Sequence, residues 1–187
     1  LKALELSPHK QQILVEVSQA YLNRGEIDIA LSYLKQSFES EPNFREARII
    51  YAIGLIYAGD DATLKQVLEP EFGTIYAPED RIILAYRGTK RYDDMLNSLR
   101  QRIINNPNNP QAYLYLASGY FEAGLRQKSI ETIQQAIVVS DQSAEMALSN
   151  PAILLQEKEA VIKQRDEFNK QAEFFISEIR AGRNPTK

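Results

Sequence analysis

The chain has 187 residues, a formal net charge of −3 and no cysteine. That balance offers no attraction to phosphate backbones or anionic lipid, which sets nucleic-acid and membrane-surface roles aside. The missing cysteine excludes disulfides, thiolate nucleophiles and cysteine-held zinc, and no apolar run approaches the roughly 18 residues of a membrane-spanning helix.

In chain order, residues 1–10 place Leu1, Ala3 and Leu4 on one face before Pro8. They read as the last helix of a unit that begins upstream, so a fragment of a longer protein is expected, its compartment left open. Residues 11–44 then set a pattern that recurs. Leu14, Val17 and Tyr21 stand at i, i+3 and i+7, the stripe of an amphipathic helix. Gly25 follows, where a helix must stop and reverse, and glycine takes a left-handed conformation there without steric cost. Ala30, Leu34 and Phe38 continue the stripe on a second helix, and Pro42 closes the pair.

Shifted by 34 residues, Pro8 falls on Pro42, Tyr21 on Leu55 and Gly25 on Gly59. Leu55 then falls on Tyr86 after only 31 residues, so the unit at 45–75 is shortened. In it Arg48 takes a position that is apolar elsewhere, and Pro70 is expected to interrupt the second helix. In the unit at 76–109 Lys90 replaces the turn glycine and Met95 a small residue. The unit at 110–143 restores the pattern with Tyr113, Leu116, Ala117, Tyr120, Gly124, Ser129, Ile133 and Ala136. Small residues at Ser18 and Ala117 mark where helices cross closely. A two-helix hairpin cannot bury its own apolar face, so neighbouring hairpins must stack.

After Asp141 the register ends, and Ser143, Ser149, Asn150 and Pro151 give 141–151 the composition of a connection. Leu154, Val161, Phe168 and Phe175 then recur every seven residues, predicting a helix over roughly 152–181 stopped by Gly182 and Pro185. Three uses suit that stripe: a cap over the last hairpin, self-association as a coiled coil, or docking on a neighbouring copy.

The units at 11–44 and 110–143 resemble the tetratricopeptide repeat: large–x2–large–small–x2–Tyr, then a turn glycine, a small and a large residue, alanine, and a closing proline. The resemblance implies an all-α fold, an α–α superhelix or solenoid of antiparallel helix pairs, here followed over 144–187 by a connection and a long C-terminal capping helix. It also implies that the first helix of each pair lines a concave, partner-binding surface. On that basis the expected contact residues are Gln12, Val15, Gln19, Leu22 and Asn23, then Glu46, Ile49, Ile53 and Ile56. Asp80, Leu84 and Arg87 follow in the third unit, and Gln111, Leu114, Ser118, Phe121 and Glu122 in the fourth. Repeat proteins of this type that hold acidic carboxyl-terminal tails carry Lys and Asn clamps, whereas Val15 and Gln19 occupy such positions here. A groove of this kind suits an amphipathic helix or an extended segment with apolar anchors, unless the chain's own last helix fills it.

No set of catalytic groups is visible. His9 is the only histidine and lacks a nucleophile or orienting partner in sequence. Asp60–Asp61 and Asp93–Asp94 read as helix caps or solvated pairs. Tyr21, Tyr86, Tyr113 and Tyr120 hold packing positions, while Tyr33, Tyr57 and Tyr115 are freer. No metal, cofactor or enzymatic role is expected. The expected function is a protein–protein interaction scaffold that takes a protein or peptide partner. The alternative is a C-terminal appendage similar to the repeat regions of bacterial O-antigen ligase and polysaccharide polymerase membrane enzymes, with the chemistry upstream.

Overall fold

The computed structural model describes residues 11–184, and every regular element within them is an α-helix. Leu1, Ala3, Leu4, Pro8, His9 and Pro185, which the sequence singles out, lie outside the described residues. The chain is all-α, built of antiparallel helix pairs. It divides into two compact units, Leu1–Ser98 and Leu99–Lys187. The first holds α1 (Gln11–Asn23), α2 (Ile27–Ser40), α3 (Arg45–Ala58), α4 (Asp61–Phe72), α5 (Asp80–Gly88) and the start of α6 (Tyr92–Asn105). The second holds the rest of α6, α7 (Pro110–Glu122), α8 (Arg126–Leu148) and α9 (Leu155–Arg180).

One backbone device makes the tight turns. Glu26 N–H donates to Tyr21 C=O at 3.0 Å and Asp60 N–H to Leu55 C=O at 3.0 Å. The same bond joins Arg91 to Tyr86 at 2.8 Å and Leu125 to Tyr120 at 2.8 Å. Each closes over a residue in the left-handed region: Gly25 (φ 76°), Gly59 (73°), Lys90 (59°) and Gly124 (78°). Lys90 is the only non-glycine with positive φ among the described residues, and its Cβ carries a steric cost that glycine avoids.

In the first unit α1 pairs with α2, α2 packs against α3, and α3 also meets α4, α5 and α1. Leu14, Leu34, Ile49, Leu55, Ile56, Leu64, Leu68, Ile82 and Tyr86 form the core, each burial contributing roughly 1.5–3 kcal/mol for a large aliphatic side chain. Close approach depends on small residues. Ser18, Ala30 and Ala52 are fully enclosed, and a Cβ on Gly54 would stand 2.9 Å from Leu34 Cδ1. The Asp60 carboxylate caps α4 by accepting from Thr63 N–H at 3.0 Å.

One sequence expectation for the shortened unit is corrected. Pro70 does not interrupt α4, which runs on to Phe72 and stops at left-handed Gly73. Proline in the last turn removes one backbone bond without displacing the chain that follows. Arg48, at a position that is apolar elsewhere, makes polar contacts instead. Its guanidinium reaches Glu71 and the Pro42 carbonyl, the latter at 2.8 Å. Arg45 joins the same Glu71 at 2.8 Å and Glu79 at 3.0 Å. Charge-assisted bonds thus tie α3 to the end of α4 and the start of α5, where three residues of chain are missing relative to the other units.

In the second unit Asn109 caps α7 by accepting from Gln111 N–H at 3.1 Å, with Pro110 in the first turn. The α7–α8 crossing is held by Ser129 Oγ–H donating to the Ala117 carbonyl at 2.7 Å. The expected connection at 141–151 is corrected: α8 continues to Leu148 and the connection is 149–154. Serine does not stop a helix by itself, and Ser143 Oγ–H turns aside to the Asn108 carbonyl at 3.0 Å while buried Ala144 keeps α8 packed. The last helix starts at Leu155, later than expected, and stops at left-handed Gly182.

Candidate functional site: the first-helix groove

In the first unit α1 and α3 lie side by side, and their outward faces form two open hollows. One, of about 410 Å³, is lined by Gln19, Leu22, Asn23, Gly25, Ile27, Ile53 and Tyr57. The other, of about 340 Å³, is lined by Gln12, Val15, Phe44, Glu46 and Ile50. The facing pairs Gln12/Glu46, Gln19/Ile53 and Asn23/Tyr57 are each separated by the 34-residue repeat. The periodicity that stacks the hairpins therefore also matches the two sides of the groove.

The expected residues distribute unevenly. Gln12, Val15, Gln19, Leu22, Asn23, Glu46 and Ile53 all line the hollows. Ile49 and Ile56 do not: they are 0% and 1% exposed and belong to the core. On α3 the open stripe is Glu46, Ile50, Ile53 and Tyr57, half of it one residue later than expected. The cause is the position of α3 inside the stack. It is packed by α1, α2, α4 and α5, so more of its circumference is buried than on α1. Ile50 and Tyr57 were missed, yet Tyr57 stands one repeat after Asn23, so the register itself carried the signal. Tyr57 is 47% exposed and leans over Gly88 of α5, where a Cβ would meet its hydroxyl at 2.9 Å. Asp80, Leu84 and Arg87 are exposed on α5 but line neither hollow.

The groove carries little free charge. Among the described residues no charged side chain lines the larger hollow, and Gln19 Nε2–H donates along α1 to Asn23 Oδ1 at 3.1 Å. Among the described residues Glu46 is the only ionised group lining the smaller hollow. Arg81 grips both its oxygens at 2.5 and 2.9 Å and holds its carboxyl below the usual carboxylate range, against a smaller desolvation effect.

In the second unit α9 packs on α8 as α3 packs on α2, and its Phe175 and Ile179 reach α7. Leu114 is buried, and with Ser118 and Phe121 it lines a cavity of only about 30 Å³ closed by Phe175 and Ile179 of α9. Gln111 is exposed and Glu122 half-buried. The seven-residue stripe of α9 is likewise turned inward. Val161 and Phe168 line an open hollow of about 240 Å³ with Ser140, Ala144 and Ala147 of α8, and Ala172, Ile176 and Ile179 are buried. Asn169 Nδ2–H fixes the register by donating to Asp141 Oδ1 at 2.8 Å. Of the residues expected to drive self-association, Phe168 and Phe175 pack within the chain, Val161 is half-buried beside an open hollow, and only Leu154 is strongly exposed.

Among the described residues no group of three or more His, Cys, Asp or Glu side chains is placed to hold a metal ion. No helix among them is long and apolar enough to cross a membrane. No protein-family model matches the chain, and no curated protein matches it. Among solved structures it is similar to the MamA RS-1 ArsTM double mutant, with a TM-score of 0.41 and 21% identity over 87% of this chain and 94% of that one. It is similar to MamA 41-end from Desulfovibrio magneticus RS-1, with a TM-score of 0.41 and 21% identity over 86% of this chain and 93% of that one. A further crystal structure of MamA protein gives a TM-score of 0.40 at 16% identity over 89% of this chain and 93% of that one.

Proposed function

We propose that the chain is a tetratricopeptide-type, non-catalytic protein-binding scaffold, and that the α1–α3 groove of the first unit receives a segment of a partner polypeptide. One feature supports this reading. Between α1 and α3 the first unit keeps two open hollows with aliphatic, aromatic and amide linings. Apolar floor with amide edges is the chemistry of a peptide groove: burial supplies affinity, and the amides satisfy the polar atoms that burial would otherwise strand.

The test is capture of partner proteins by the immobilised chain and its variants. Ile53→Glu and Tyr57→Glu should lose partners that the wild type and a Lys163→Glu control retain, at unchanged thermal stability. If both groove variants keep every partner, the groove assignment is wrong.

A further inference from the structure

We propose that residues 69–81, from the last turn of α4 to the first turn of α5, form a strap that a line of alternating charges fastens to α3, and that acid releases while the helix cores stay packed. The proposal concerns the first unit alone and stands whether or not the groove receives a partner.

Apolar anchoring is firm at both ends of the strap and thin between them. Leu68 and Ile82 are fully buried. Among the described residues from Glu69 to Arg81, Ala77 alone is buried, and its single methyl group is a small anchor. Tyr86 Oη–H adds a bond to the Ile75 carbonyl at 3.0 Å, a neutral contact that acid leaves intact.

Charge supplies the remaining hold. Glu71 accepts from Arg48 and, at 2.8 Å, from Arg45. Arg45 also donates to Glu79 at 3.0 Å, Arg81 donates to Glu79 at 3.4 Å, and Arg81 closes on Glu46 at 2.5 and 2.9 Å. Each of the strap carboxylates Glu71 and Glu79 is therefore shared by two guanidinium groups, and Arg45 bridges both from α3. Of the other acids on the strap, Glu69 pairs with Lys65 at 3.7 Å and Asp80 is exposed.

Sharing makes the line sensitive to protonation. A neutral Glu71 leaves Arg45 and Arg48 without its charge, and a neutral Glu79 does the same to Arg45 and Arg81. The Arg48 side chain is only 15% exposed, so it regains water only if the strap moves away. At the far end Glu46 titrates below the ordinary carboxylate value because Arg81 donates to it. Its hold is complete at neutral pH and disappears as pH falls through that lowered value.

Hydrogen exchange of the full chain, expressed as protection factors, tests the strap. Glu71→Gln combined with Glu79→Gln imitates protonation at neutral pH. Amides from Thr74 to Arg81 should then lose at least about tenfold in protection while those of α3 and α7 keep theirs. The wild type at about pH 3, where free carboxylates are mostly protonated, should show the same local loss, and the variant should change little further. Unchanged protection over 74–81 in the variant, or in the wild type at that pH, would overturn the proposal. So would a loss spread equally over α3 and the strap, because that reports global destabilisation rather than release.

Discussion

Arg81 at the start of α5 closes two guanidinium nitrogens on the Glu46 carboxylate at the start of α3, at 2.5 and 2.9 Å. The pair neutralises the one ionised group that lines the groove among the described residues and links α3 to α5. Arg81 also donates to Glu79 at 3.4 Å, and Glu79 in turn accepts from Arg45, so the contact belongs to a network spanning α3 and α5.

Acid should weaken this network before it weakens the apolar core. The Glu46 carboxyl titrates below its ordinary value in the folded chain because Arg81 donates to it, with Arg45 adding attraction. A depressed folded value means its stabilisation is present above the unfolded value and disappears as pH falls through the folded one. Glu46→Gln should therefore cost under about 1 kcal/mol at pH 7, since the pair is largely solvated, and nothing by about pH 2. Urea denaturation of both proteins across that range checks it; a constant difference would contradict the assignment.

Lys90 is where a substitution should stabilise. Its φ of 59° is left-handed, as at the three turn glycines Gly25, Gly59 and Gly124. Lys90→Gly should raise stability by roughly 0.5–1 kcal/mol, after the entropy glycine adds to the unfolded chain offsets part of the relieved strain. Gly59→Ala should lower it by roughly 1 kcal/mol. Thermal unfolding of the two variants should move in opposite directions.

Gly54 tests how tightly α3 sits on α2. A methyl group there would stand 2.9 Å from Leu34 Cδ1 and 3.0 Å from Leu31 Cδ2. Gly54→Ala should destabilise by roughly 1–3 kcal/mol despite the better helix propensity of alanine. A neutral or stabilising result in urea denaturation would mean that the two leucines move aside freely.

The sequence made the turns legible and left the faces less so. Positions 25, 59, 90 and 124 stood out because a reversal needs a left-handed residue and glycine supplies it; even Lys90 follows from register. The phase of α3 was harder. Ile49 and Ile56 look like groove residues by analogy with Val15 and Leu22, but an interior helix is packed on more sides than α1. The end of α8 was hidden because Ser143 and Ser149 bond to carbonyls and permit a helix as readily as a loop. The heptad of α9 was plain, whereas its partner, α8 of the same chain, was a tertiary fact that no periodicity encodes.

Phe121 separates covered from open surface by stability. It packs under α9 with Phe175 and Ile179. Phe121→Glu should cost roughly 2–4 kcal/mol by placing an unpaired carboxylate in an apolar contact, whereas Ile53→Glu in the open groove should change stability little. Comparable losses in urea denaturation would mean that the first-unit groove is covered too.

Photo-leucine at Leu22 and at Leu114 compares the two surfaces most directly, because it replaces leucine almost isosterically at both. In the presence of partner, Leu114 should cross-link within the chain to residues 172–180 of α9, and Leu22 should cross-link to the second polypeptide. Cross-links from Leu22 confined to the chain itself, or from Leu114 to the partner, would contradict the account of an open α1–α3 groove and a Leu114 buried beside α9.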